Sequence, residues 1–139
     1  MRRSPTFHRV MYVGLSVRDL RRSAEWYRQV FGLETERENI GGSGWASDWD
    51  EVLLRHPMTG LIIALIQHPS NDGDPFSEFR TGLDHVEFEV PTMRELDEWR
   101  RWLDELGIRH SGSRPHIVTF RDPDNIQLEF FCPAGSHGP

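Results

Sequence analysis

The sequence predicts an α+β fold of two paired βαβββ modules, and two observations predict it. Tyr12-Val13-Gly14-Leu15-Ser16-Val17 returns as His85-Val86-Glu87-Phe88-Glu89-Val90, 73 residues later. Each copy leads into a helical stretch, with Trp26 and Trp99 in register. A repeat this long, present only twice, indicates two paired modules rather than a solenoid. The second observation is that each half reads, in order, as strand, helix and three strands.

In the first half, Val10 to Val17 is rich in β-branched and aliphatic residues and predicts a strand. Asp19 then suits a helix N-cap. Leu20, Ala24, Tyr27 and Phe31 recur at helical spacing while Arg21, Arg22, Glu25 and Arg28 fill the other face, until Gly32 ends the helix. A polar strand is expected from Leu33 to about Glu38. Ile40 to Asp50, with its Gly-Gly-Ser-Gly composition, predicts a loop. Val52 to Arg55 and Leu61 to Gln67 read as strands joined by a turn at His56-Pro57-Met58-Thr59-Gly60.

Pro69 to Arg80, with Asn71-Asp72-Gly73-Asp74-Pro75, has the turn chemistry of a linker. Leu83 to Val90 is the next strand. Pro91-Thr92 opens a helix carrying Leu96, Trp99, Leu103 and Leu106 on one face, and Gly107 ends it. Ile108 to Ser111, His116 to Arg121 and Ile126 to Cys132 are expected as the closing strands, with a turn at Asp122-Pro123-Asp124-Asn125. The expected organisation is one domain over residues 1–139. It holds an N-terminal module at 7–69, a C-terminal module at 80–133 and a loose tail at 134–139.

Composition narrows the class of function. At 139 residues the chain is long enough to bury a core without staples. A 37% hydrophobic share with 27% charged residues is globular, and 12 Gly and 9 Pro imply many turns. A net charge of -6 without a clustered Lys/Arg face argues against nucleic acid and favours a cationic or neutral small ligand. Cys132 is the single cysteine, so no intramolecular disulfide forms. No signal peptide is expected, and the chain is assigned to the cytoplasm. The longest aliphatic run, Leu61 to Ile66, is far short of the roughly 20 residues that span a bilayer. No membrane association is expected.

Several strings in fixed order carry a family resemblance over nearly the whole chain. Val13-Gly14-Leu15-Ser16-Val17-Arg18-Asp19-Leu20, Ser23 to Trp26-Tyr27 and Phe31-Gly32-Leu33 resemble the opening of vicinal oxygen chelate proteins, the glyoxalase/bleomycin resistance/dioxygenase superfamily. Gly82-Leu83-Asp84-His85-Val86 and Phe120-Arg121-Asp122-Pro123-Asp124-Asn125-Ile126-Gln127-Leu128-Glu129 resemble its second module. The resemblance implies modules curling into a half-open barrel around a ligand cavity, commonly in a homodimer. In metal-dependent members the first and last strands of each module offer one ligand each.

Carried over by position, those ligands fall on Tyr12, Ala64, His85 and Glu129. Only His85 and Glu129 are of the expected type. An imidazole and a carboxylate suit Zn, Ni, Mn or Fe, but two protein ligands seldom hold such an ion tightly. Ala64 has no donor, and a neutral phenol with a pKa of about 10 ligates poorly. Among candidates for repair, His68 and His8 share faces with Ala64 and Tyr12, but each is roughly 13 Å further along its strand. His116, on a neighbouring strand with Val118 and Phe120 of like parity, is the better third ligand. The metal site is thus expected to be incomplete, with His85, Glu129 and His116 as its candidates.

A paired His85 and Glu129 would also leave a base in the pocket, and these two are the catalytic candidates. Trp45 and Trp49, amid Asp48, Asp50 and Glu51, suggest an aromatic and acidic lid that stacks on a planar or cationic ligand. Trp26, Trp99 and Trp102 are expected to pack in the core or at an interface. The expected function is sequestration of an aromatic or cationic small molecule by Tyr12, Trp45, Trp49, His85, His116 and Glu129, without a tightly held metal cofactor. The alternative is a metal-dependent lyase, isomerase, thiol transferase or ring-cleaving dioxygenase using His85, Glu129 and a third ligand. A regulatory or interaction module is the weaker alternative.

Overall fold

The structure, a computed structural model, describes residues 3–41, 48–111 and 114–133. The chain divides into two compact units, Met1–Asn71 and Asp72–Pro139. The first holds β1 (Val13–Ser16), α1 (Leu20–Phe31), β2 (Glu34–Asn39), β3 (Asp50–Arg55) and β4 (Ile62–Gln67). The second holds β5 (His85–Glu89), α2 (Met93–Glu105), β6 (Ile117–Arg121) and β7 (Gln127–Phe131). The tail at 134–139 lies outside the described residues, as does Trp45. Among the described residues no helix is long and apolar enough to cross a membrane.

In the first unit the sheet runs β1-β4-β3-β2, with β1 parallel to β4 and the other pairs antiparallel. The central strand β4 is apolar because it is buried on both faces: Ile62, Ile63, Ala64 and Leu65 are all in the core. β2 sits at the edge and is polar, with Glu34 to Glu38 exposed. That composition protects an open edge against strand addition. β1 is shorter than the hydrophobic pattern predicts. Its partner β4 begins at Ile62, so the ladder starts at Val13↔Ile63 and leaves Val10, Met11 and Tyr12 exposed ahead of it.

α1 starts where expected, because the Asp19 carboxylate accepts the Arg22 backbone N–H at 3.1 Å. The Leu20 N–H is taken by Gln67 Oε1 at 2.8 Å, which ties the helix start to the end of β4. Two of the first-turn donors that a helix cannot satisfy internally are thereby paired. Leu20, Ala24, Tyr27, Val30 and Phe31 bury one stripe. Gly32 ends the helix at φ 69°, a left-handed conformation that costs glycine nothing.

In the second unit the sheet runs β5-β7-β6, with β5 parallel and β6 antiparallel to β7. Thr92 caps α2: its Oγ1 accepts the Glu95 N–H at 3.1 Å, and its hydroxyl donates to Glu95 Oε2 at 2.9 Å. Leu96 and Leu103 are fully buried. Trp99 stacks on Phe130 with ring centres 4.0 Å apart, and Phe120 stacks on the same Phe130 at 5.6 Å. The core of this unit therefore lies between α2 and one face of the sheet, lined by Val118, Phe120, Leu128 and Phe130.

The strand expected over Ile108 to Ser111 is reduced to a single bridge, His110↔Phe120. Ser111 N donates to the Thr119 carbonyl at 2.9 Å, but the Thr119 N–H returns to the Ser111 hydroxyl at 3.0 Å instead of a carbonyl. A side chain has taken the backbone's place, so the ladder stops there.

Candidate metal centre

Strand alternation builds the site on the sheet face turned away from α2. Successive side chains of a strand point to opposite faces. Phe88 lies 5.6 Å from Phe130 on the helix side. His85 and Glu87 consequently share the other face. On β7, Leu128 and Phe130 belong to the core and Glu129 between them points away from it. The β5–β7 register sets Glu87 opposite Glu129 and His85 opposite Gln127. The β6–β7 register then sets Thr119 opposite Glu129 on the other side.

The result is a cluster of three ligand types. One donor atom from each of His85, Glu87 and Glu129 lies within 4.8 Å of the others. His85 Nε2 stands 3.6 Å from Glu129 Oε2, too far for a hydrogen bond. Two donors held by one first-row ion at about 2.1 Å each stand about 3–4 Å apart, so this spacing suits a shared ion. His85 and Glu87 are solvent-accessible, while Glu129 is 8% exposed.

The Glu129 carboxylate is held firmly. Its Oε1 accepts Gln127 Nε2 at 2.6 Å and the Thr119 hydroxyl at 3.3 Å, which leaves Oε2 as the atom turned toward His85. His85 Nδ1 meets Asp84 Oδ1 at 2.7 Å. That hydrogen bond holds the imidazole above its ordinary pKa; burial opposes it, and the charges of Glu129, Asp84 and Glu87 add to it. Burial is also the main cause that raises the Glu87 carboxyl, followed by a hydrogen bond with Glu129 and that residue's charge, with His85 acting the other way. Two carboxylates and an imidazole crowded on one face favour a shared proton or a bound cation. The donor set of one nitrogen and two carboxylate oxygens fits Mn, Fe, Ni or Zn.

Of the other residues expected at the site, Tyr12, Ala64 and His8 belong to the first unit and His116 to the second. Tyr12 lies before β1, half exposed, with its ring beside Gly14. Ala64 is fully buried in a small apolar cluster with Leu53 and Ile62. His8 is exposed ahead of β1. His116 lies in a turn before β6 and is exposed. It precedes β6, whose residue Thr119 is the one that reaches Glu129, and it is not among the three residues that gather there. The structure therefore does not bring His116 to the cluster.

Trp49 sits just ahead of β3, where its Nε1 donates to Glu51 Oε2 at 3.5 Å and its ring lies 5.8 Å from that of His68. Glu51 is a buried strand residue with Arg37 3.9 Å away. Asp50 accepts the Gly41 N–H at 2.9 Å. Asp48, Trp49, Asp50, Gln67 and His68 line an open cavity of about 410 Å³ in the first unit.

Glu87 is the residue that the sequence pattern did not yield. The signal was the strict alternation His85-Val86-Glu87-Phe88, which places Glu87 on the face of His85. Glu87 lies outside the first- and last-strand ligand positions that the resemblance implies.

A search among proteins with curated descriptions finds no match to the chain. Solved structures do match. The glyoxylase/bleomycin resistance protein/dioxygenase domain from Frankia sp. EAN1pec is 33% identical, with a TM-score of 0.77 over 91% of this chain and 98% of that one. The fosfomycin resistance protein FosX from Listeria monocytogenes, complexed with Mn(II) and sulfate, is 21% identical with a TM-score of 0.68, covering 94% and 96%. A glyoxalase family protein from Enterococcus faecalis is 20% identical with a TM-score of 0.69, covering 90% and 98%. The latter two share the fold. The family model described as Glyoxalase/Bleomycin resistance protein/Dioxygenase superfamily matches residues 7–130, and the chain belongs to that superfamily.

Proposed function

We propose that this protein binds a divalent metal ion through His85, Glu87 and Glu129 and uses it to act on a small oxygen-bearing substrate. One observation carries the proposal: the three donors converge on one exposed sheet face within 4.8 Å of one another. Two ligands would be a remnant, but a third makes up the number that catalytic metal sites commonly take from protein. Glu87 supplies it from the same strand as His85. FosX from Listeria, which shares the fold, has been crystallised with Mn(II).

When bound, the ion would act as a Lewis acid that polarises a substrate oxygen. The chain's own part is to hold and orient. His85 turns Nε2 inward, and Glu129 presents Oε2 while Gln127 and Thr119 occupy Oε1. Glu87, accessible to solvent, completes the donor set.

The test is metal content after loading with Mn, Fe, Ni or Zn and desalting. About one ion per chain is expected, lost in Glu129→Ala and His85→Ala. Loaded wild-type protein that retains no metal would overturn the proposal.

A second mode of action is favoured by the cavity beside Trp49 and His68. Its aromatic walls and Asp48 suit a planar cation, which the protein would sequester without reaction. Planar cationic compounds should then quench tryptophan fluorescence, and Trp49→Ala should weaken the quenching. No quenching by any such compound would remove this mode.

A further inference from the structure

We infer that Asp84 is a positioning residue for His85, selecting the imidazole tautomer whose Nε2 lone pair faces Glu129. Its role rests on the proposal that His85 holds an ion. Neighbours within a strand point to opposite faces, so an Asp directly before a strand histidine would ordinarily be turned away from its ring. Here β5 begins at His85, and Asp84 is still outside the ladder. Its carboxylate is free to swing alongside the ring and meets Nδ1 at 2.7 Å, the length of a charge-assisted hydrogen bond.

The competing arrangement is on the same face. If Nε2 carried the proton, it would be drawn to Glu129 Oε2, now 3.6 Å away, and the nitrogen would be closed to an ion. Asp84 prevents this by offering Nδ1–H a closer and negatively charged acceptor. An imidazole whose second nitrogen donates to a carboxylate is also a more basic ligand, and such partners typically change metal affinity about 10–100-fold. Asp84 is itself two-thirds exposed, so replacing it leaves the core intact.

The experiment uses Mn(II) and the full chain, in wild type, Asp84→Asn and Asp84→Ala. Titration calorimetry should give affinity weakened about 10–100-fold in Asp84→Ala, and less in Asp84→Asn, which keeps an acceptor but not the charge. In parallel, the nitrogen chemical shifts of His85 in metal-free protein, at a pH where the ring is neutral, should show the Nδ1–H tautomer in wild type. A shift toward Nε2–H is expected in Asp84→Ala, with the thermal midpoint unchanged. Mn(II) binding that Asp84→Ala leaves as in wild type, or an unaltered tautomer, would overturn the role of Asp84 while leaving the metal centre standing. Wild type that binds no Mn(II), Fe, Ni or Zn would instead bring down the metal centre, and this role with it.

Discussion

Glu87 and Glu129 stand directly opposite one another across the parallel β5–β7 pair, with the His85 imidazole beside them on the same face. Like charges placed opposite across a pair of strands are destabilising, so this face is under electrostatic tension until a proton or cation enters it.

That tension predicts the behaviour of Glu87→Gln. The metal-free variant should be more stable than wild type by up to about 1 kcal/mol, because a repulsive partner is gone. Its response to metal should shrink. A ligand present at about 100 times its dissociation constant stabilises wild type by about 2.7 kcal/mol, and the variant should lose most of that gain. Thermal unfolding with and without Mn(II) measures both, and an equal metal-induced rise in the two proteins would rule out Glu87 as a ligand.

Gln127→Leu removes the 2.6 Å donor that holds Glu129 Oε1. Taking a partner from a buried carboxylate costs about 1–3 kcal/mol, and Thr119 can recover only part of it. Urea unfolding should show that loss together with weaker metal binding. Unchanged stability would mean that solvent replaces the amide.

Acid should expose the Glu78–Arg121 pair. Arg121 grips both Glu78 oxygens at 2.9 and 3.0 Å, and this lowers the Glu78 carboxyl from 4.5 to about 2. A folded-state pKa below the unfolded one stabilises the fold above the unfolded value, and the gain is lost as pH falls toward the folded value. The stability difference between wild type and Glu78→Gln should therefore be constant above about pH 5 and fade between pH 4.5 and 2. Denaturant midpoints measured across that range decide it; a difference persisting at pH 2 would assign the effect to packing.

Leu128→Ala tests how the core supports the centre. Leu128 is fully buried on the strand that carries Glu129, beside Phe120 and Phe130. Its truncation should cost about 2–5 kcal/mol by urea unfolding. A cost below 1 kcal/mol would show that the sheet repacks around the gap.

The two helices and the turns were legible in the sequence because their determinants are local. Asp19, Gly32 and Thr92 act on backbone groups within a few residues, and the apolar stripes of α1 and α2 follow from a 3.6-residue period that any stretch of sequence displays. The strand ends were less legible. β1 starts at Val13 and not Val10 because its partner starts at Ile62, a fact that no local pattern holds. For the same reason Ile108 to Ser111 looked like a strand and became a bridge once the Ser111 hydroxyl competed for Thr119.

By itself the sequence determined the repeated α+β plan, and it singled out His85 and Glu129 as the two positions with ligand chemistry. Only the tertiary structure decided that Glu87 joins them and that His116 does not. Glu87 and Glu129 are 42 residues apart, and their meeting depends on the β5–β7 register, where a slip of one residue would turn every side chain to the opposite face. The parity of β6 likewise sends Thr119 to Glu129, while His116 lies in the turn ahead of that strand. Register is a property of two strands packed together over one core, and a single strand's sequence carries only half of it.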